Sequence, residues 1–298
     1  MCLLLSALVV AAPSVAAAVR VVATTTLIGD VVGRIGGDAI DLTILFEPDA
    51  DPHLFEPTPR DLVALQEADV VFQNGAGLEA GLTAVLDTVE TVISLSEGLA
   101  RAREEEDHHE AEEDHDHGEL DPHVWFDPSN VARWAERIAD ALSRLDPQSA
   151  AVFEARAAQY VAALDELDRW IEERVAGIPE ERRVLVTDHG VLGYFADRYG
   201  FTLVGSVFPG LTTAAEPSAR ELADLETHIQ DLGVPAIFVG TTVDPWLADQ
   251  VGRDTGVSIV QLYTGSLSGP DGPAPTYIDL MRVDVERMVE ALGGDGTG

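Results

Sequence analysis

Histidine is the residue type in this chain best suited to chemistry. Eight are present: His53, His108, His109, His115, His117, His123, His189 and His228. Two of them fall in nearly the same phrase, DPHLFEP at residues 51–57 and DPHVWFDP at residues 121–128. In each, the proline fixes the approach of the chain, and the aspartate can accept an imidazole N–H and so orient the ring for a metal. His189 follows the apolar run VLVTD directly, at the carboxyl end of an expected strand, where open α/β sheets bind ligands. Three histidines on loops after strands, drawn from both halves of the chain, would make a divalent-cation site if they converged in a cleft. Spacing alone leaves the plainer roles open, since a loop histidine also serves as a cap or a hydrogen-bonding residue. His228 lies in a helical run beside charged residues and is given no role.

The elements that must position these residues alternate between strand-like apolar runs and amphipathic helical ones, the pattern of an α/β protein with parallel sheets. Strands are expected at residues 20–25, 42–46, 69–73 and 91–95, with a helix at 27–35. Thr58-Pro59-Arg60-Asp61 carries a helix-start signature, with a Thr cap, Pro in the first turn and an acid three residues on. Residues 147–177 place apolar side chains at Phe153, Ala157, Tyr160, Leu164, Leu167, Ile171 and Val175, a helical spacing that predicts one long helix with a single buried stripe. At 1.5 Å per residue it would span about 46 Å, so it reads as a strut between two lobes. The α/β rhythm then restarts, with strands expected at 184–187, 202–207, 236–239 and 258–263. Helices are expected at 193–199, 217–232, 245–255 and 276–292.

Charge narrows the function classes. The chain has 53 acidic residues against 18 basic ones, a net charge of -35, and every basic residue is arginine. Such a surface repels phosphate backbones and anionic lipids, excludes nucleic-acid binding as a general function, and favours cations. One cysteine, Cys2, rules out an internal disulfide and a cysteine-built metal site. Residues 1–18 read as an export signal, apolar with small residues at the end, although the basic residues that usually precede such a run are missing. Residues 101–119 hold ten acids, two arginines and the four histidines His108, His109, His115 and His117, with no large apolar side chain. A stretch of that composition is expected to be a loop that binds divalent cations weakly.

Taken together, VVATTTLIGDVV, DPHLFEPTPRD, ADVVFQNGAGLE, the His/acid-rich loop, DPHVWFDP, TDHGVLGYFADRYG and SLSGPDGPAPTYIDLMR resemble the zinc/manganese solute-binding proteins of ABC transporters. The resemblance runs from about residue 20 to residue 292, in the right order. It implies two Rossmann-like α/β lobes joined by a long rigid helix, with a metal site in the interlobe cleft. The corresponding division is an N-terminal lobe at 19–146, a linking helix at 147–177 and a C-terminal lobe at 178–298. It also implies an exported, monomeric carrier that delivers its ion to an ABC permease and its ATPase.

His53, His123 and His189 match the three histidine ligand positions of that family. A fourth ligand, an aspartate, is usual there, but here Gly265 occupies its position in LYTGSL at 262–267. Asp271 is the nearest acid, set in a Pro/Gly-rich turn from which it is not expected to reach. Three imidazoles suit Zn2+, while the alternative ion, Mn2+, prefers oxygen donors. Two other functions compete on the sequence alone. A zinc hydrolase would use the same ligands, with Glu56 the only nearby base, but HExxH and GxSxG are both absent. A metal-stabilised surface adhesin would use the same fold for cell adhesion.

Overall fold

The structure is a computed structural model that describes residues 18–101, 120–214 and 217–293. Most of the expected export signal (residues 1–17) and His108, His109, His115 and His117 lie outside the described residues.

The first half begins with strand β1 (Val19–Ala23), helix α1 (Thr26–Gly36) and strand β2 (Ile40–Ile44). Helix α2 (Pro59–Glu67), strand β3 (Val70–Gln73), the short helix α3 (Thr83–Leu86) and strand β4 (Val92–Ser94) follow. The four strands form one parallel sheet in the order β2-β1-β3-β4. The expected start of α2 is a full capping box: Thr58 Oγ1 accepts from Asp61 N–H, and the Asp61 carboxylate accepts from Thr58 N–H.

Two long helices come next, α4 (Pro128–Leu145) and α5 (Ala150–Val175). The seven residues of the expected stripe are the seven buried residues of α5. The helix has 26 residues, about 39 Å at 1.5 Å per residue. It is shorter than expected because residues 147–149 form the turn that reverses the chain after α4. Helix α4 was not foreseen. Its stripe rests on Val131, Trp134, Ala135, Ile138, Ala139 and Leu142, half of them too small or aromatic to read as a run of large aliphatics.

The second half contains β5 (Val184–Thr187), α6 (Gly193–Tyr199), β6 (Thr202–Ser206), α7 (Ala219–Leu232), β7 (Ala236–Gly240), α8 (Trp246–Thr255), β8 (Ser258–Leu262) and α9 (Tyr277–Leu292). Its strands again form a parallel sheet, ordered β6-β5-β7-β8, which repeats the order of the first. In both lobes the strand order reverses beside the first strand, and crevices for ligands open at the carboxyl end of such a switch point.

One apolar core runs through both lobes. It joins Val21, Phe72 and the buried faces of α1, α4 and α5 to Phe238, Leu262 and the buried face of α9. The opposite face of each sheet has its own smaller cluster, with Phe46, Leu65 and Val71 in the first lobe and Val207, Leu225 and Val239 in the second. Helix α5 packs against α1, α4 and α9, so it draws on both halves. Among the described residues no helix is long and apolar enough to cross a membrane.

Candidate metal centre

Each of the three singled-out histidines stands at a strand's carboxyl end or in the segment that follows one. His53 lies on a single 3-10 turn (Pro52–Leu54) reached from β2, and Asp51 caps that turn by accepting from the His53 backbone N–H at 2.9 Å. His123 precedes a second such turn (Val124–Phe126), between β4 and α4. The Asp121 carboxylate accepts from both its backbone N–H and its ring Nδ1, each at 2.9 Å. His189 sits two residues past β5. Asp188 accepts from its backbone N–H at 2.7 Å and its ring Nδ1 at 2.8 Å, while the other carboxylate oxygen accepts from Gly240 N–H. Asp121 and Asp188 have no solvent-accessible surface, so these bonds fix both rings with Nε2 free to face inward.

The three rings converge. His123 Nε2 lies 3.2 Å from the Nε2 atoms of both His53 and His189. One nitrogen from each ring falls within 4.8 Å of the others. Two imidazole nitrogens on one tetrahedral zinc, with bonds of 2.0–2.1 Å, would stand about 3.3 Å apart. His123 and His189 are buried, and His53 is partly exposed at the rim. Burial and the two neighbouring rings hold the His53 imidazole down to about 2, and burial outweighs Asp121 in lowering His123. Both rings are therefore neutral near pH 7, the form that offers a lone pair to a cation.

Around the triad lies a small cavity of about 10 Å3, roughly one water-sized sphere. Its walls include Trp125, Thr213, Thr242, Thr264 and Gly265. Gly265 occupies the wall where the resemblance expects an aspartate, and a Cβ there would come within 2.9 Å of Pro52 Cδ. Among the described residues, no carboxylate joins the three histidines as a further donor. Glu56 and Asp271 are exposed and do not line the cavity. His228 is exposed on α7 and does not line the cavity.

Sequence reasoning missed Asp188 and Thr213. A sequence signal existed for Asp188, since it directly precedes the histidine. None existed for Thr213, which meets Asp51 across 162 positions of chain.

Behind the triad, the buried Glu79 carboxylate accepts from Thr24 Oγ1 and from the backbone N–H groups of Asn74 and Gly75. The Asn74 amide then donates to Pro122 O, next to His123. Burial raises the Glu79 carboxyl despite these donors. The positive φ values of Gly75 and Gly77 let the loop between them turn back onto Glu79.

Comparison with known proteins agrees with this architecture. Residues 21–291 match the family described as ZnuA, zinc-uptake complex component A, periplasmic. The manganese-binding lipoprotein MntA of Halalkalibacterium halodurans is 33% identical over 277 residues, covering 92% of this chain and 88% of that one. The iron-binding protein YfeA of Yersinia pestis is 32% identical over 277 residues, covering 92% and 86%. Among solved structures, the periplasmic zinc binding protein TroA from Treponema pallidum superposes with a TM-score of 0.83 at 28% identity, covering 93% of this chain and 99% of that one. The family consists of transport proteins and not enzymes, which sets the hydrolase reading aside. On this fold, this coverage and these matches, the chain belongs to the ZnuA family of extracytoplasmic, metal-binding substrate-binding proteins of ABC importers.

Proposed function

We propose that this chain captures Zn2+ between its lobes through Nε2 of His53, His123 and His189 and delivers it to the permease of an ABC importer. On this reading residues 19–146 form one lobe, 147–177 the link and 178–298 the other lobe, and the carrier acts as a monomer. One observation carries the choice of zinc: three converging imidazoles, with Gly265 in place of a carboxylate. Zinc accepts three imidazoles and a solvent molecule in a tetrahedral set, whereas manganese favours several oxygen donors. The relatives' names divide among manganese, iron and zinc, so the donor set argues more directly than the likeness does.

The test is a competition titration of the metal-free protein with Zn2+ and Mn2+. One tight zinc per chain, displaced by manganese only in large excess, is the expected result. Tighter binding of manganese would overturn the choice of ion, and tight zinc binding unaffected by His123→Ala would overturn the ligand set.

A further inference from the structure

His123 and His189 stand on the core that both lobes share, because Val124, Trp125 and Phe126 follow the first, and Val191 and Leu192 follow the second, into that core. His53 does not. Its segment hangs between Phe46 and Phe55, which belong to the outer cluster of the first lobe. The segment after β6, which carries Thr213, is likewise rooted in the outer cluster of the second lobe through Val207 and Phe208. Two stretches of the cavity wall, at His53 and at Thr213, thus belong to parts of the fold rooted outside the common core.

Among the described residues, one side-chain hydrogen bond joins these parts. Thr213 Oγ1 donates to Asp51 Oδ2 at 2.7 Å, while the other oxygen of that carboxylate accepts from the His53 backbone N–H. Other side-chain contacts between the lobes lie elsewhere: Tyr194 Oη accepts from Arg101 N–H, Tyr277 Oη donates to Trp125 O, and Arg198 pairs with Asp127. Thr26 Oγ1 accepts from Leu267 N–H, Asp30 from Tyr277 N–H, and Ser266 Oγ from Asp49 N–H, and Trp125 Nε1 donates to Thr264 O. None of these reaches the segment after β6, so among the described residues Thr213 supplies the side-chain hydrogen bond that ties that segment across the cleft.

We propose that the Thr213–Asp51 hydrogen bond is a latch that closes the two lobes over the bound cation and sets how fast the ion leaves. Thr213 is a positioning residue: it acts on His53 through Asp51 and supplies no ligand. The inference rests on the reading that the triad binds the metal.

The experiment compares Thr213→Val, which keeps the shape and removes the hydroxyl, with Thr213→Ser, which keeps the hydroxyl. Each variant is loaded with Zn2+, and release into excess chelator is followed by stopped flow. The visible spectrum of the Co2+-loaded form and the melting of the metal-free form are recorded alongside. The bond to a carboxylate is of the charge-assisted kind, so Thr213→Val should release the ion on the order of tenfold faster. Its cobalt spectrum and its metal-free melting should be unchanged, and Thr213→Ser should release as the parent does. Release at the parent rate in Thr213→Val would overturn the latch, as would a serine variant as fast as the valine one. A changed cobalt spectrum would also overturn it, by making Thr213 a ligand. A parent chain that takes up no metal would overturn the function itself, an outcome separate from all of these.

Discussion

Restoring the fourth ligand is not a simple matter of adding an oxygen, and the structure says why. Gly265 is not among the glycines with positive φ, so its backbone accepts an L side chain. Space is the obstacle: a Cβ would sit 2.9 Å from Pro52 Cδ and 3.2 Å from Pro52 Cγ. Carbon atoms pack best at about 3.5 Å or more, so Pro52 must retreat by roughly 0.6 Å. Pro52 is bonded to His53, and a binding constellation tolerates only about 0.5 Å of displacement. Overpacking of this kind costs about 1–3 kcal/mol, which corresponds to about 5- to 150-fold in affinity. Gly265→Ala isolates that cost, and zinc affinity should fall within this range. Gly265→Asp adds the carboxylate, so relative to the alanine variant it should recover more affinity for manganese than for zinc. Competition titrations with both ions, with melting of the metal-free variants recorded, separate the two effects. If Gly265→Ala binds zinc as the parent does, Pro52 does not constrain the site and the steric reasoning fails.

Three further outcomes follow from the same geometry. Asp188→Asn should lower zinc affinity about 10- to 100-fold by loosening the His189 ring, His123→Ala should lower it more, and His228→Ala should leave it unchanged, all read by chelator competition. Acid should destabilise the metal-free protein: His53 is held down to about 2 when folded, while an unfolded histidine titrates near 6.5. Below pH 6.5 the unfolded chain therefore takes up a proton that the folded chain does not. Stability is highest above that pH and falls by up to about 1.4 kcal/mol per unit as pH drops toward 2, a slope that His53→Gln should reduce in denaturant titrations. Excising residues 102–119 should remove weak extra metal binding and leave the tight site intact; loss of the tight site in equilibrium dialysis would place a ligand in that loop.

What the sequence disclosed followed the range of the interactions involved. The stripe of α5 was legible because helical period and burial are set within a few turns, and the Thr58–Asp61 capping box because it spans four residues. The three histidines were legible through local phrases, two as DPH and the third directly after an apolar strand-like run. Helix α4 escaped because alanines and a tryptophan carry much of its buried face, and because its start is embedded in the phrase that holds His123. The cavity walls at Thr213, Thr242 and Thr264 had no local signal at all. They depend on strand order, and a 2-1-3-4 order is decided by which crossovers pack, not by any single strand's residues.

Charge explains how a site of three imidazoles can hold a dication on the proposed reading. Taking a divalent ion out of water is costly unless negative charge stands close by. No carboxylate joins the triad among the described residues, but Asp121 and Asp188 each sit one hydrogen bond behind a ring, with no solvent-accessible surface. A buried carboxylate is itself expensive, and in the metal-free protein backbone N–H groups and the imidazole Nδ1 atoms bond these two. A bound dication and the buried aspartates therefore relieve one another through the imidazoles: polarised by the metal, each ring's Nδ1–H becomes a stronger donor to its aspartate. Asp51 stands differently. It holds a backbone N–H and the Thr213 hydroxyl, at the partly exposed edge of the site, and leaves the ring of His53 without such a tether. The fold thus places a buried aspartate behind each of the two histidines on the common core and sets a third aspartate at the rim, where an ion must pass in and out.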